Sequence, residues 1–279
     1  MDNNETVKIV NPYTFWRRQK DKLITIMPDA LFTFIVNLRY RLNETYPYIT
    51  KEGPDFKLNW NGFALLSNTP KYLMNPSLES YEKKNEQFIK IEKGDTVVDV
   101  GACMGDSTLP AIIKTGSTGR VIAIEPSPSN LIYLRKNVAK YPNVSILDKA
   151  VFNKKCKIPF SIHNSAVTGN MINLKTENRP TGDIQVDSTT IDVEADTLDN
   201  LLEPFKKIDF LKIDVQGFEI EALEGCQLLM KTTPKIVVET HGFDEEPLWK
   251  KVNAILSSNG YTTSVTPDRR VHAYKRIIN

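Results

Sequence analysis

The 279-residue sequence is short of the side chains that build metal centres and covalent scaffolds. Its three cysteines, Cys103, Cys156 and Cys226, are odd in number, scattered, and free of any C-x-x-C pair. Neither a disulfide framework nor a zinc site is expected from them, and they suit a reducing compartment. Histidine is as scarce, with His163, His241 and His272 far apart and no H-E-x-x-H helix to hold a metal. An excess of one charge is lacking too. The 36 Lys and Arg against 34 Asp and Glu leave +2, so no basic field calls for nucleic acid. Long apolar runs are absent: Leu23 to Leu38 is broken by Pro28 and Asp29, and neither half can span a bilayer. Beside Arg17, Arg18, Lys20 and Lys22 that stretch reads as an interfacial helix or, more simply, as one packed on its own domain. Met1-Asp2-Asn3-Asn4-Glu5 has no positive n-region, so a cytoplasmic location is expected.

What is present becomes legible from residue 95 onward. Short apolar strands, Thr96 to Val100, Val121 to Ile124 and Val144 to Leu147, alternate with helices from about Asp106 to Lys114 and from Leu131 to Val138. The alternation resumes after residue 193 with a helix at Leu198 to Pro204, a strand Ile208 to Ile213 and a helix Glu219 to Leu229. A strand Ile236 to Val238, a helix Glu246 to Ser257 and a hairpin from Tyr261 to Lys275 follow. This pattern predicts an α/β fold with a doubly wound, mainly parallel sheet and a C-terminal antiparallel hairpin. Lys157 to Val193 interrupts it as an irregular or antiparallel insertion. Residues 1–74 read as an accessory region, a helical extension, and 75–279 as the main domain. Asn11-Pro12 and Asn75-Pro76 look like helix starts, the second opening a helix through Phe88 and Ile89.

In such sheets ligands bind beyond the carboxyl ends of the strands. The first strand ends in Asp99-Val100-Gly101-Ala102-Cys103-Met104-Gly105-Asp106, a glycine turn flanked by carboxylates. A phosphate site wants backbone N–H groups and positive charge, so an acidic turn points to a different ligand. The dinucleotide pattern G-x-G-x-x-G fails at Cys103, and no Gly-Lys-Ser/Thr phosphate loop exists. Glu125 lies 24 residues after Gly101, near the spacing at which a carboxylate meets a ribose diol. An adenosine cofactor with a cationic amino-acid end, S-adenosylmethionine, satisfies these constraints together. Its ammonium would lie near Asp99, and its carboxylate on N–H groups of the turn.

The run Gly94-Asp95-Thr96-Val97-Val98-Asp99-Val100-Gly101-Ala102 resembles the first motif of class I methyltransferases, and its wording that of the FkbM family. Ile124-Glu125-Pro126, Thr197-Leu198-Asp199 and Phe210 to Glu219 agree, as do Glu221-Ala222-Leu223-Glu224-Gly225 and Ile236-Val237-Val238-Glu239. The resemblance covers about residues 80 to 275. It implies a Rossmann-like seven-stranded sheet and O-methylation of a hydroxyl on a sugar or other small molecule. It further implies that Asp99, Gly101, Ala102 and Gly105 shape the methionine end of the cofactor site. Glu125 would bind ribose, and Asp148, Lys149 and Ala150 would flank adenine. Asp214 would lie beneath the methyl group or acceptor. Gln216 departs from the family's D-x-E-G-x-E hallmark by replacing a glutamate.

Each reading has a plainer rival. Glycines after strands often serve only a turn, Glu219 suits the first turn of any helix, and His241 suits an ordinary loop. A hydroxyl acceptor requires a base, for which Asp214 stands first, with His241 and Glu239 behind it. Gln216 also allows a cofactor-binding protein without turnover, and N-methylation of a protein stays open; a nicotinamide dehydrogenase is weakened by Cys103. Asp214 and Glu219 are oxygen donors, but two carboxylates do not make a cation site. The sequence sets no oligomeric state.

Overall fold

The computed structural model describes residues 27–41, 48–60, 63–74, 78–163, 171–172, 188–241 and 247–277. The chain divides into two compact units, Met1–Met74 and Asn75–Asn279. The first holds a helix, Asp29–Arg41, that begins just after Pro28, and three strands, β1 (Tyr48–Glu52), β2 (Asp55–Trp60) and β3 (Phe63–Ser67). These strands form an antiparallel sheet in the order β1-β2-β3. The Asn37 side chain clips helix to sheet, donating to the Ile49 carbonyl at 2.9 Å and accepting its N–H at 2.8 Å. The expected helical extension is therefore half sheet. Its marks in the sequence are the turn dipeptides Gly53-Pro54 and Asn61-Gly62, because three such short strands carry little periodicity. The Asn11-Pro12 and Asn75-Pro76 starts lie outside the described residues.

The second unit opens with a helix, Leu78–Asn85, which stops before Phe88 and Ile89. Its strands are β4 (Thr96–Val100), β5 (Arg120–Ile124), β6 (Val144–Leu147), β7 (Ala150–Val151), β8 (Cys156–His163), β9 (Met171–Ile172) and β10 (Ser188–Asp196). They continue with β11 (Phe210–Ile213), β12 (Lys235–Glu239), β13 (Thr262–Val265) and β14 (Arg270–Tyr274). Seven of them form one sheet in the order β13-β14-β12-β11-β4-β5-β6. From β6 through β12 all pairings are parallel, whereas β14 runs antiparallel to both β12 and β13. Helices cover the sheet, and its central strands are buried on both faces, which is why they read as unbroken apolar runs. Pro110 is tolerated in the helix Thr108–Thr115 because it lies in the first turn, where its missing N–H has no intrahelical partner. This is the doubly wound, Rossmann-like sheet with a terminal hairpin that the alternation predicts.

The described residues of the insertion are antiparallel strands, one of the two forms its sequence allows. β8 and β10 pair antiparallel from Cys156 opposite Ala195 to His163 opposite Ser188, within a second sheet ordered β7-β10-β8-β9. Its small core joins Ala150, Phe152, Ile158, Phe160, Val193, Ala195 and Phe218. The helix expected from Glu219 to Leu229 is two pieces, Glu219–Glu224 and Leu229–Thr232. Gly225 caps the first piece, and the position requires glycine because a Cβ there would lie 2.4 Å from the Phe152 carbonyl oxygen. The Asp199 carboxylate then accepts the N–H groups of Leu228 and Leu229, each at 2.9 Å, and caps the second piece. Two of the motifs shared with the family thus serve packing.

Candidate active site

Parallel strands β4, β5, β11 and β12 deliver Asp99, Glu125, Asp214 and Glu239 to one edge of the sheet. The antiparallel β14 starts at that edge, placing Arg270 opposite Glu239. After β4 the chain turns through left-handed residues, Gly101 at φ 77°, Cys103 at 51° and Gly105 at 102°. Gly101 is required by space as well as by angle. A Cβ there would stand 1.9 Å from the Asp214 backbone oxygen, so the Gly101 turn and the end of β11 are in backbone contact. Gly101→Ala is expected to lower unfolding free energy by about 2–4 kcal/mol through left-handed strain and backbone displacement. Urea denaturation checks this, and an unchanged midpoint would show that the two segments separate freely.

The N–H groups of this turn are largely spent inside the protein. Gly101 and Ala102 both donate to the Ile124 carbonyl, Gly105 to Ala102, and Cys103 to the Glu125 carboxylate. Asp99, almost wholly buried, is likewise engaged on both oxygens. Thr108 donates to Oδ2 at 2.6 Å and Lys212 to Oδ1 at 3.1 Å. With both oxygens so paired, Asp99 ties the turn to the helix that follows it and to β11.

Glu125 is buried, and no cation among the described residues is in salt bridge with it. Its Oε1 accepts from the Ser127 N–H at 2.9 Å and the Asn130 amide at 3.2 Å, and its Oε2 from the Cys103 N–H at 2.9 Å. Burial pushes its carboxyl up to about 7 against those three donors. An ionised carboxylate offers about four acceptor positions. Oε2 therefore keeps capacity for one further donor, a ribose hydroxyl being of the right kind, where the sequence led to expect both oxygens on a diol.

The third strand end is only partly a site. Asp148, just past β6, is exposed and 3.5 Å from Arg135. Lys149 pairs with Glu194 of the second sheet. Ala150 lies in β7, buried in the small core of that sheet. Of the three residues expected to flank adenine, Asp148 alone is presented at the edge of the sheet, because the chain enters β7 immediately afterwards.

The three base candidates come together. His241 Nδ1 lies 3.8 Å from Asp214 Oδ1, and its Nε2 lies 3.8 Å from Glu239 Oε1. Closer to the ring are two others: Glu219 Oε1 faces Nδ1 at 3.1 Å, and Gln216 Nε2 faces Nε2 at 3.2 Å. Gln216 also donates to Asp214 Oδ1 at 2.8 Å and holds the left-handed φ of 54°. Burial would pull the His241 imidazolium down, but the Glu219 hydrogen bond with the charges of Asp214, Glu219 and Glu239 outweighs it and holds it above its usual value. Asp214 is pushed up by burial, with Lys212, 3.7 Å from Oδ2, opposing. Glu239 is in salt bridge with Arg270 at 2.5 Å, whose charge overcomes burial and holds it low. Glu239 is thus paired with a cation, Asp214 lies between the Gln216 amide and Lys212, and the His241 ring is about a third exposed.

Lys212 and Arg270 are the functional-edge residues that sequence reasoning missed. A lysine inside the apolar run Phe210-Leu211-Lys212-Ile213 was the available signal, since a cation in a central strand must meet buried carboxylates. Arg270 gave none, because only antiparallel pairing brings it to Glu239. Among the described residues no group of His, Cys, Asp and Glu is arranged to hold a metal ion. None of their helices is long and apolar enough to cross a membrane.

A model of the methyltransferase FkbM domain matches residues 99–263, more than half of the chain. No curated protein matches it. Among solved structures it is similar to the methyltransferase FkbM from Methylobacillus flagellatus, at 18% identity and a TM-score of 0.49. That likeness covers 74% of this chain and 52% of the other, so the chain spans about half the length of that protein. It is similar to precorrin-6Y C5,15-methyltransferase from Geobacter metallireducens at 17% identity, covering 67% and 83% with a TM-score of 0.41. It is similar also to TYW2 from M. jannaschii, solved with AdoMet, at 14% identity, covering 81% and 86% with a TM-score of 0.40. The match of the family model, running from Asp99 through the base cluster to β13, carries the assignment: the chain belongs to the FkbM methyltransferase domain family.

Proposed function

We propose that the protein is an S-adenosylmethionine-dependent methyltransferase that O-methylates a hydroxyl of a sugar or other small molecule. One observation supports this above the others. The Gly101 turn, the segment read as a cofactor site, is in backbone contact with Asp214, and Asp214 is bridged through Gln216 to His241. A cofactor site and a proton acceptor are thereby fixed to each other. The residues fit the cofactor at one test point: Glu125 is a buried carboxylate with spare acceptor capacity on Oε2. Glu125 would hold the ribose, the Gly101–Gly105 turn the methionine end, and Asp148 the rim of the adenine. When bound, S-adenosylmethionine supplies a methyl group already activated on a sulfonium sulfur.

The chain's own work is then alignment and proton removal. The turn and Asp214 fix the direction of approach. His241, neutral, takes the hydroxyl proton on Nε2, and Glu219 keeps its ring oriented. Arg270 and Lys212 hold Glu239 and Asp214 in place. Reading Gln216 as a sign of lost turnover is less economical, since its amide joins the base to Asp214. N-methylation of a protein is the second reading.

Methyl transfer from tritium-labelled S-adenosylmethionine to a panel of sugars and small hydroxylated molecules tests the proposal. Label recovered in an alkali-stable ether is the expected result. Label found only in protein amines would favour the second reading and end the first.

A further inference from the structure

We infer that Glu219 is the positioning residue of the acceptor base, locking His241 in the tautomer that leaves Nε2 free to accept a proton. This rests on the reading of His241 as that base. Glu219 is fully buried at the start of the helix Glu219–Glu224. Its Oε1 accepts the Gly217 N–H at 3.0 Å and faces His241 Nδ1 at 3.1 Å. A carboxylate can only accept, so Nδ1 carries the proton and the neutral ring presents its lone pair on Nε2. The group facing that lone pair is a donor. The Gln216 amide has two hydrogens and two acceptors before it, His241 Nε2 at 3.2 Å and Asp214 Oδ1 at 2.8 Å. Turning the amide over would set its oxygen against the Asp214 carboxylate, so the two tautomer arguments, one from each side of the ring, agree.

The amide position also marks where an acceptor hydroxyl belongs. A hydroxyl donating to Nε2 replaces one Gln216 hydrogen bond and leaves the other, to Asp214, in place. As the oxygen gains its methyl group, the O–H bond breaks and an N–H bond forms on Nε2. The imidazolium is then met by Glu219 on one side and by Asp214 and Glu239 on the others, with Lys212 and Arg270 behind those two carboxylates. Glu219 Oε2 is buried without a hydrogen-bond partner among the described residues, so the hydrogen bonds of this carboxylate run through Oε1, to Gly217 and the ring. A buried acid that served only as a helix-start residue would instead satisfy its own helix N–H groups.

Long-range nitrogen–proton NMR spectra of the full-length, nitrogen-15-labelled chain test this without any substrate. Only three histidines contribute, and His241→Asn assigns the relevant one. The expected result is an Nδ1–H ring at high pH, conversion towards Nε2–H in Glu219→Ala, and a titration midpoint about one pH unit lower in Glu219→Gln, which keeps the acceptor and removes the charge. An Nε2–H ring in the unaltered protein, or a midpoint unmoved in Glu219→Gln, would overturn the inference. Glu219→Gln is close in shape and serves where the alanine variant does not fold. Failure of the methyltransferase reading is seen separately, as absence of S-adenosylmethionine binding by a chain whose ring state is as expected.

Discussion

Replacing Lys212 by methionine is expected to cost the fold about 3–5 kcal/mol, the loss seen when one member of a buried ion pair is removed. Lys212 is almost fully buried between Asp99 at 3.1 Å and Asp214 at 3.7 Å. Those carboxylates hold its ammonium above its usual value in spite of burial. Methionine fills a similar volume and leaves two acids facing each other without a cation. The deficit should grow with pH. Asp214 is already raised by burial with Lys212 opposing, and a raised acid contributes stability below its unfolded value that is lost as pH rises through the folded one. Urea unfolding at acid and at neutral pH measures both effects. A variant as stable as the parent at neutral pH would mean that water reaches the cluster and that the β4–β11 contact does not depend on the cation.

Substituting His241 by asparagine is expected to lower methyl transfer roughly 10²–10⁴-fold, the usual worth of a positioned base, while leaving cofactor affinity near that of the parent. The separation follows from geometry, since His241 contacts Gln216 and Glu219, and the turn proposed to hold the cofactor touches Asp214 by backbone. The pH profile of the parent carries a signature. A base must be neutral to act, and His241 is held above its usual value by the surrounding carboxylates. Turnover should therefore rise through a midpoint above that of an ordinary histidine, about 6.5. The sign for stability is opposite: His241 favours the folded state fully below its unfolded value and loses that contribution as pH rises through the folded one. Undiminished turnover in His241→Asn would return the role of base to Asp214.

The main sheet was legible because each central strand is buried on both faces and must be apolar, and because the Gly101 turn closes the first of them. Its C-terminal edge was legible for a related reason: acids at the ends of Thr96–Val100, Arg120–Ile124 and Lys235–Glu239 are out of place unless they serve a site. What the sequence concealed was pairing. Nothing local tells that Asp99 spends both oxygens on Thr108 and Lys212, or that Ala150 leaves the site to join a second sheet. The role of Glu219 was hidden by its helix-start position, where a glutamate is unremarkable on dipole grounds. Gln216 read as a defect while only the motif was in view. Its amide fits two acceptors that become neighbours only when β11 and β12 are side by side.

The central claim, that the acidic glycine turn and Glu125 bind S-adenosylmethionine, is tested most directly by calorimetric titration of the full chain with that cofactor, with NAD as control. Glu125→Ala, verified as folded by its melting curve, is the second sample. S-adenosylmethionine, but not NAD, is expected to bind, with affinity weakened roughly 10–100-fold by the substitution, the worth of a hydrogen bond to a charged group. Binding by the parent should tighten as pH rises through about 7, where Glu125 ionises and becomes the stronger acceptor. No binding by the folded parent, or equal binding by Glu125→Ala, would contradict the claim.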